Sequence, residues 1–162
     1  MRKLRTAFFA SALAAAGCPL MAQGAAHPNL SGVWVMDTTK TEMGPMMPTA
    51  MTYTITQDGN AFKINRNSKS SQGDVSTDLV YTLDGKPAKN SVTQMGQTVD
   101  VSSVLSWEGS SLVITSTISI QGQEVHQVEK LTADAAGKTM TSDRSIEAGG
   151  QSFATKAVFT KR

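Results

Sequence analysis

The sequence has 162 residues, a length that fits a single domain with its own hydrophobic core. Lysine and arginine number 15 and aspartate and glutamate 13, but three of the basic residues lie within the first five positions. The rest of the chain carries 12 basic and 13 acidic residues, without a basic stripe, so the composition argues against nucleic acid as a partner.

The first 22 residues have the pattern of a signal peptide. A basic start, Arg2 to Arg5, precedes an alanine-rich apolar run that is too short to cross a membrane as a helix. Cleavage is predicted after Ala22, which leaves a flexible tether at residues 23–29 and a domain at residues 30–162. The mature chain is therefore expected to be periplasmic or extracellular, with no transmembrane segment.

The single cysteine, Cys18, leaves a second interpretation of the leader open. Residues 15–18 read Ala-Ala-Gly-Cys and resemble a lipobox, which would anchor the protein to a membrane by a lipid on that cysteine. An alanine in place of a larger aliphatic residue, and Pro19 directly afterwards, favour cleavage after Ala22 instead. If Cys18 is removed, disulfides cannot stabilise the mature fold.

The mature part begins with a short apolar strand at residues 31–36, which contains Gly32-Val33-Trp34. A loop rich in methionine and proline follows at residues 43–48. From Met51 onward β-branched and polar residues alternate, and no segment shows the 3.6-residue apolar repeat of a helix. We therefore predict nine or ten antiparallel strands and no sizeable helix.

Glycine marks four predicted hairpins. In each it is the first residue of a two-residue loop, a position that suits a type II′ turn: Gly59-Asn60, Gly109-Ser110, Gly122-Gln123 and Gly149-Gly150. Such a loop fixes the register of both strands, because the residues that flank it pair. For the longer connection at residues 133–138, the natural register pairs Leu131 with Met140.

These registers gather the apolar residues of the second half into two bands on one inner face. The first band is Leu105, Ile114, Leu131, Met140 and Phe159, and the second is Val99, Ile120, Val125, Ile146 and Phe153. Between them lies a polar band of Ser103, Ser116, Gln127, Glu129, Ser142, Arg144 and Thr155. Strands in sequence order with short turns favour a single antiparallel up-and-down β-barrel of about 8–10 strands, since closure removes exposed edges.

Three blocks of the sequence resemble recurrent blocks of small secreted bacterial proteins of lipocalin-like (calycin) type: residues 30–34, 81–86 and 137–141. In lipocalin-like barrels a glycine and a tryptophan on the first strand close one end, as Gly32 and Trp34 would here. The resemblance implies that Lys161 or Arg162 packs over that tryptophan. It also implies a lipocalin-like, cup-shaped carrier or binding module.

Arg144 is the main candidate for a functional role, because a guanidinium inside a small barrel is costly unless it is paired. The register puts it near Glu129 and Gln127. One interpretation is an internal ion pair that stabilises the fold, and the other is an anchor for an anionic headgroup. The predicted ligand-binding residues share a polar side chain on the inner face: Arg144, Glu129, Gln127, Tyr53, Tyr81 and Arg66.

No metal site, cofactor or catalytic residue is expected. Met43, Met46 and Met47 could ligate Cu(I), but His27 and His126 are isolated, and the preferred interpretation is that the methionines pack over one mouth of the barrel. The chain has no Gly-x-Ser-x-Gly elbow, no metal-spaced histidine pair and no phosphate-binding loop. An enzyme is therefore not predicted.

Two functions fit these observations. The first is an exported, monomeric binding protein that holds a small amphiphilic, hydrophobic or anionic ligand inside the barrel. The second is a non-enzymatic interaction or inhibitor protein of the cell envelope, which acts through its surface and has a filled barrel. The two differ in whether the interior is open.

Overall fold

The computed structural model describes residues 27–44, 47–71, 73–94, 97–120 and 122–162. The predicted signal peptide, with Cys18, and most of the predicted tether lie outside these residues. The strands are β1 (Gly32–Met36), β2 (Ala50–Asp58), β3 (Ala61–Ser70), β4 (Gly73–Thr82), β5 (Ala88–Gln94), β6 (Gln97–Glu108), β7 (Ser111–Ile120), β8 (Gln123–Ala133), β9 (Thr139–Ala148) and β10 (Gln151–Lys161). Within the described ranges no residue is helical, and no helix is available to span a membrane.

All ten strands form one antiparallel sheet in which strands that follow each other in the chain are paired, except β4 and β5, and β1 also pairs with β10. The two edges of the sheet, β4 and β5, face each other across a seam. There the backbone N–H of Val80 on β4 donates to Oδ1 of Asn90 on β5 at 2.8 Å. The Nδ2 of Asn90 donates in turn to the backbone carbonyl of Val80 at 3.1 Å. The predicted all-β up-and-down barrel is confirmed, closed except at this seam.

The registers predicted from three of the glycine turns are confirmed. The pairs that flank these loops are Asp58 with Ala61, Glu108 with Ser111 and Ala148 with Gln151. The first loop residues, Gly59, Gly109 and Gly149, have φ angles of 54°, 61° and 57°. These angles lie in the left-handed region that glycine occupies without steric cost.

The register predicted at Gly122 was wrong. Ile120 pairs with Gln123, so that glycine, with φ +81°, is the second residue of the loop and not the first. The observed register places Ser111 beside Thr132, and their hydroxyl oxygens lie 2.8 Å apart. Each residue of β8 consequently pairs two positions away from its predicted partner.

The register predicted for the connection at residues 133–138 was also wrong. Met140 pairs with Ala133 and not with Leu131. The loop closes around Asp134, whose backbone N–H donates to the carbonyl of Thr139 at 2.9 Å and whose carboxylate accepts from the N–H of Lys138 at 2.8 Å. As a result Glu129 lies opposite Arg144 and not opposite Ser142.

The core fills the end of the barrel that β1 closes. Trp34 is fully buried, and its indole N–H donates to the carbonyl of Leu30 at 2.8 Å. Of the two basic residues considered for this place, Lys161 packs there, with its Nζ 5.0 Å from the centre of a Trp34 ring. Gly32 lies beneath the same side chain, and a Cβ there would come within 2.4 Å of the Lys161 Cε.

The two predicted apolar bands differ in burial. The first band is core, since its five members are at most 1% exposed. The second band is not a core layer, because Phe153 is 42% exposed and Ile120, Val125 and Ile146 are only half-buried. These residues lie near Gly122 and Gly150, at the end of the barrel away from Trp34, where the side chains of the described residues form no fully buried layer.

Candidate functional site

A cavity of about 470 Å³ lies in the barrel interior, so side chains do not fill the barrel. Polar side chains line its inner part: Arg66, Tyr81, Gln127, Glu129 and Arg144. Its apolar wall is formed by Val75, Leu79, Val92, Val101, Ile114 and Ile118. An interior of this size with a polar group at one side is typical of a small-molecule site.

Glu129 is the most enclosed charged group of the cavity, with 1% of its surface exposed. Its Oε2 accepts from Arg66 Nη2 at 2.6 Å, and its Oε1 accepts from the hydroxyls of Tyr53 (2.9 Å) and Ser142 (2.8 Å). Burial raises the pKa of this carboxyl, but the positive charges of the arginines together with these hydrogen bonds lower it to about 2. Glu129 is therefore ionised.

Arg66 is the ion-pair partner of Glu129, and its guanidinium also lies 4.7 Å from the centre of the Tyr53 ring. Burial lowers the pKa of Arg66, but the charge of Glu129 outweighs this and raises it above its usual value. Burial raises the pKa of Tyr53, and raises that of Tyr81 to about 12. Both phenols are therefore neutral near pH 7.

Arg144 lies directly opposite Glu129 on the neighbouring strand, but within the described residues it forms no salt bridge. Its Nη2 donates to Oε1 of Gln127, and its Nε has no hydrogen-bond partner in the described part of the chain. Burial and the positive charge of Arg66 lower the pKa of Arg144. An arginine nevertheless stays protonated in a protein, so the group is a cation.

The three charges of this cluster do not cancel. Arg66 and Arg144 contribute two positive charges and Glu129 one negative charge, which leaves the interior with a net charge of +1. Arg66 is neutralised at hydrogen-bond distance, so the surplus resides mainly on Arg144. A buried charge without a partner is unfavourable, and a bound anion would remove that penalty.

All six predicted ligand-binding residues lie in this cluster. Five of them line the cavity, and Tyr53 lies behind Glu129 as one of its hydrogen-bond donors. The expected neighbours of Arg144 are present, but the ion pair with Glu129 is formed by Arg66. The sequence interpretation placed Ser142 in the polar band without a role in the site, although a hydroxyl in that band is a natural donor to a carboxylate.

The residues considered for metal binding do not converge. Met47 packs against the core, Met43 is 49% exposed, and Met46 lies outside the described residues. The ring of His27 stacks on Trp107 with 4.5 Å between centroids, and His126 lies in an exposed position beside Glu124. Among the described residues, no cluster of three or more histidine, cysteine, aspartate or glutamate side chains could hold a metal ion.

No family model matches the chain, and no curated protein matches it in sequence. Many solved structures share its fold, and three of them illustrate the likeness. The first is zebrafish ileal bile acid-binding protein complexed with cholic acid, with a TM-score of 0.50 and 13% identity over 82% of this chain and 98% of that one. The second is an abundant heat soluble (SAHS) protein from Ramazzottius varieornatus, with a TM-score of 0.51 and 10% identity over 82% of this chain and 94% of that one. The third is a mutant of the fluorescent protein UnaG, with a TM-score of 0.51 and 12% identity over 81% of this chain and 94% of that one. Likeness at these identities concerns the fold alone: the ten-stranded antiparallel barrel of this chain matches the lipocalin-like (calycin-type) barrel fold of these proteins.

Proposed function

We propose that the protein is an exported, monomeric and non-enzymatic binding protein that holds a small amphiphilic anion inside its barrel. Arg144 contacts the anionic headgroup, and the apolar wall of the cavity contacts the tail. One observation carries this proposal: a net positive charge faces an open interior and resides on a guanidinium that no carboxylate of the described chain neutralises.

The geometry of Arg144 suits an anion. A guanidinium has five N–H donors in a planar fork, and one edge of such a fork can hold two oxygens of a carboxylate, sulfonate or phosphate. Gln127 accepts from Nη2, whereas Nε has no partner within the described residues. A headgroup oxygen at Nε would satisfy that buried donor.

The apolar wall of the cavity indicates that the ligand also has a hydrocarbon part. Val92, Val101 and Ile118 are among the aliphatic side chains that face the cavity, so a hydrocarbon part of the ligand would be removed from water there. A small inorganic anion would leave this wall uncovered. The zebrafish protein with this fold was solved in complex with cholic acid, which supports an amphiphilic acid as the class of ligand.

The open interior also favours binding inside the barrel over the alternative of a surface-acting protein with a filled barrel. A scaffold that worked only through its outer face would gain stability if side chains filled the 470 Å³ cavity and if the cluster were neutral. Neither is the case.

Native mass spectrometry of the exported protein, purified from its source, tests the proposal. We expect an added small-molecule mass on the wild type and on Lys156→Gln, which removes one positive charge from the exposed face of β10. Arg144→Gln removes the same charge from the interior and should lose the added mass. Absence of bound mass from the wild type, or its full retention by Arg144→Gln, would contradict the proposal.

A further inference from the structure

We propose that Glu129 makes the interior site selective for singly charged anions over doubly charged ones. This inference rests on the proposed function, because it concerns the charge of the headgroup that Arg144 binds. It assigns a specificity role to a side chain that would otherwise count only as part of an internal ion pair. The ligand class becomes a carboxylate, sulfonate or sulfate monoester with an apolar tail.

Glu129 is fixed in place. Three donors on three different strands hold its two oxygens: Arg66 on β3, Tyr53 on β2 and Ser142 on β9. At 1% exposure it cannot turn toward solvent without breaking all three bonds. A second negative group that enters the cavity therefore meets a permanent negative charge beside the two guanidiniums.

The net charge of +1 sets the preference. One negative charge on the ligand brings the cluster to neutrality, whereas two leave a surplus negative charge inside the barrel. Attraction to the cluster grows in proportion to the ligand charge, but the cost of removing the ligand from water grows with the square of its charge. A doubly charged headgroup consequently loses more hydration energy than it gains from electrostatic attraction to the cluster.

The cluster keeps its charge over the pH range in which a phosphate monoester changes its own. The pKa of Glu129 is about 2, that of Tyr81 is about 12, that of Tyr53 is raised by burial, and both arginines remain protonated. Neither histidine lines the cavity. A change in phosphate affinity between pH 5 and pH 8 therefore reports the charge of the ligand.

Decyl phosphate and decyl sulfonate are suitable probes, because the tails are equal and only the phosphate has a second ionisation, near pH 6. Titration calorimetry on the mature protein, below the micelle concentrations, measures both at pH 5 and pH 8. For the wild type we expect decyl phosphate to bind about tenfold more weakly at pH 8, which corresponds to about 1.4 kcal/mol. Decyl sulfonate should bind equally at both pH values.

Two variants isolate the role of the carboxylate. Glu129→Gln raises the net charge to +2, so the pH preference for decyl phosphate should reverse. The double variant Arg66→Gln with Glu129→Gln keeps the net charge at +1 and should retain the wild-type preference. If Glu129→Gln alone does not fold, Arg66→Gln is the second test, because it keeps Glu129 and lowers the net charge of the cluster to zero. Decyl phosphate should then weaken more between pH 5 and pH 8 than with the wild type, and an unchanged pH dependence would overturn the inference.

The outcomes separate this inference from the proposed function. If the wild type binds neither probe, the proposed function fails. If it binds both and decyl phosphate is not weakened at pH 8, interior binding stands and selection by charge is overturned. A folded Glu129→Gln variant with the pH dependence of the wild type would also overturn it.

Discussion

Arg66 and Glu129 join opposite walls of the barrel through a salt bridge of 2.6 Å. Their strands, β3 and β8, are not neighbours in the sheet, so the pair crosses the interior instead of following a strand edge. The carboxylate is fully buried, and the arginine side chain is 15% exposed. The contact therefore bounds the cavity on one side and connects the two halves of the chain.

Loss of this salt bridge should strongly lower the free energy of unfolding. Glu129→Gln leaves two guanidiniums without a compensating charge, and removal of one partner of a buried pair typically costs about 3–5 kcal/mol of unfolding free energy. Glu108→Gln is the matched control, because its salt bridge to Lys130 at 3.1 Å is exposed and should contribute less than about 1 kcal/mol. Denaturant unfolding measures both. Equal losses in the two variants would contradict a structural role for the buried pair.

Acid should remove the contribution of ionised Glu129 to the stability of the fold. The pKa of Glu129 is about 2 in the fold, below its ordinary value of about 4.3, so its stabilising effect is complete above the ordinary value and is lost as the pH falls toward 2. Other carboxyls with lowered pKa values, such as Asp37 and Asp134, change over a similar range. The difference in urea midpoint between wild type and Glu129→Gln, followed from pH 7 to pH 2, isolates the buried group. That difference should shrink below pH 5, and a constant difference would refute the assignment.

Local signals explain why the architecture could be predicted and why some strand partners could not. Glycine at positive φ marks a hairpin, but Gly122 shows that it can take either position of a two-residue loop. Each register error moved the partner by two residues. Because side chains alternate with a period of two, such a shift changes the partner and keeps the face. Glu129 and Arg144 were therefore correctly predicted to point inward.

The ion pair itself was beyond prediction from the sequence. Cross-strand neighbours follow from a register, whereas Arg66 and Glu129 are 63 residues apart and meet only because the sheet curves and closes. The exposure of Phe153 has a similar origin. Alternation shows that a residue faces inward, but whether that end of the barrel is filled depends on the side chains of all ten strands.

Gly32→Ala should destabilise the closed end of the barrel. The new Cβ would lie 2.4 Å from the Lys161 Cε, at a backbone φ of +136° that other residues rarely adopt. We expect a loss of about 1–3 kcal/mol in unfolding free energy. Gly44→Ala, which meets no atom within 4 Å, is the control and should change stability by less than about 0.5 kcal/mol. Removal of the Lys161 side chain in the same chain should recover only the steric part of the loss.

Asn90→Ala should loosen the seam between β4 and β5. Its amide makes two hydrogen bonds to the backbone of Val80, and nothing in the strand pairing replaces them. The amide of Val80 should exchange with solvent at least about tenfold faster, with a global loss near 1 kcal/mol, since a typical hydrogen bond contributes about that much. Asn67→Ala removes a bond between exposed side chains only and is the control. Unchanged exchange at Val80 would show that the amide does not hold the seam.

Val101→Phe tests whether the apolar wall receives the tail of the ligand. The valine lies on the cavity opposite Ile118 and is 6% exposed, so a larger side chain there takes up part of the 470 Å³ without touching the charged cluster. Affinity for decyl sulfonate should fall about tenfold or more, equivalent to at least 1.4 kcal/mol, because the tail loses both space and apolar contact. Stability should change little, since added apolar surface is buried in space that already exists.

Val128→Phe, on the outer face of β8 at 38% exposure, is the control and should bind like the wild type. If both variants bind decyl sulfonate equally well, the tail does not occupy this cavity, and the anion would be held by Arg144 without the apolar wall.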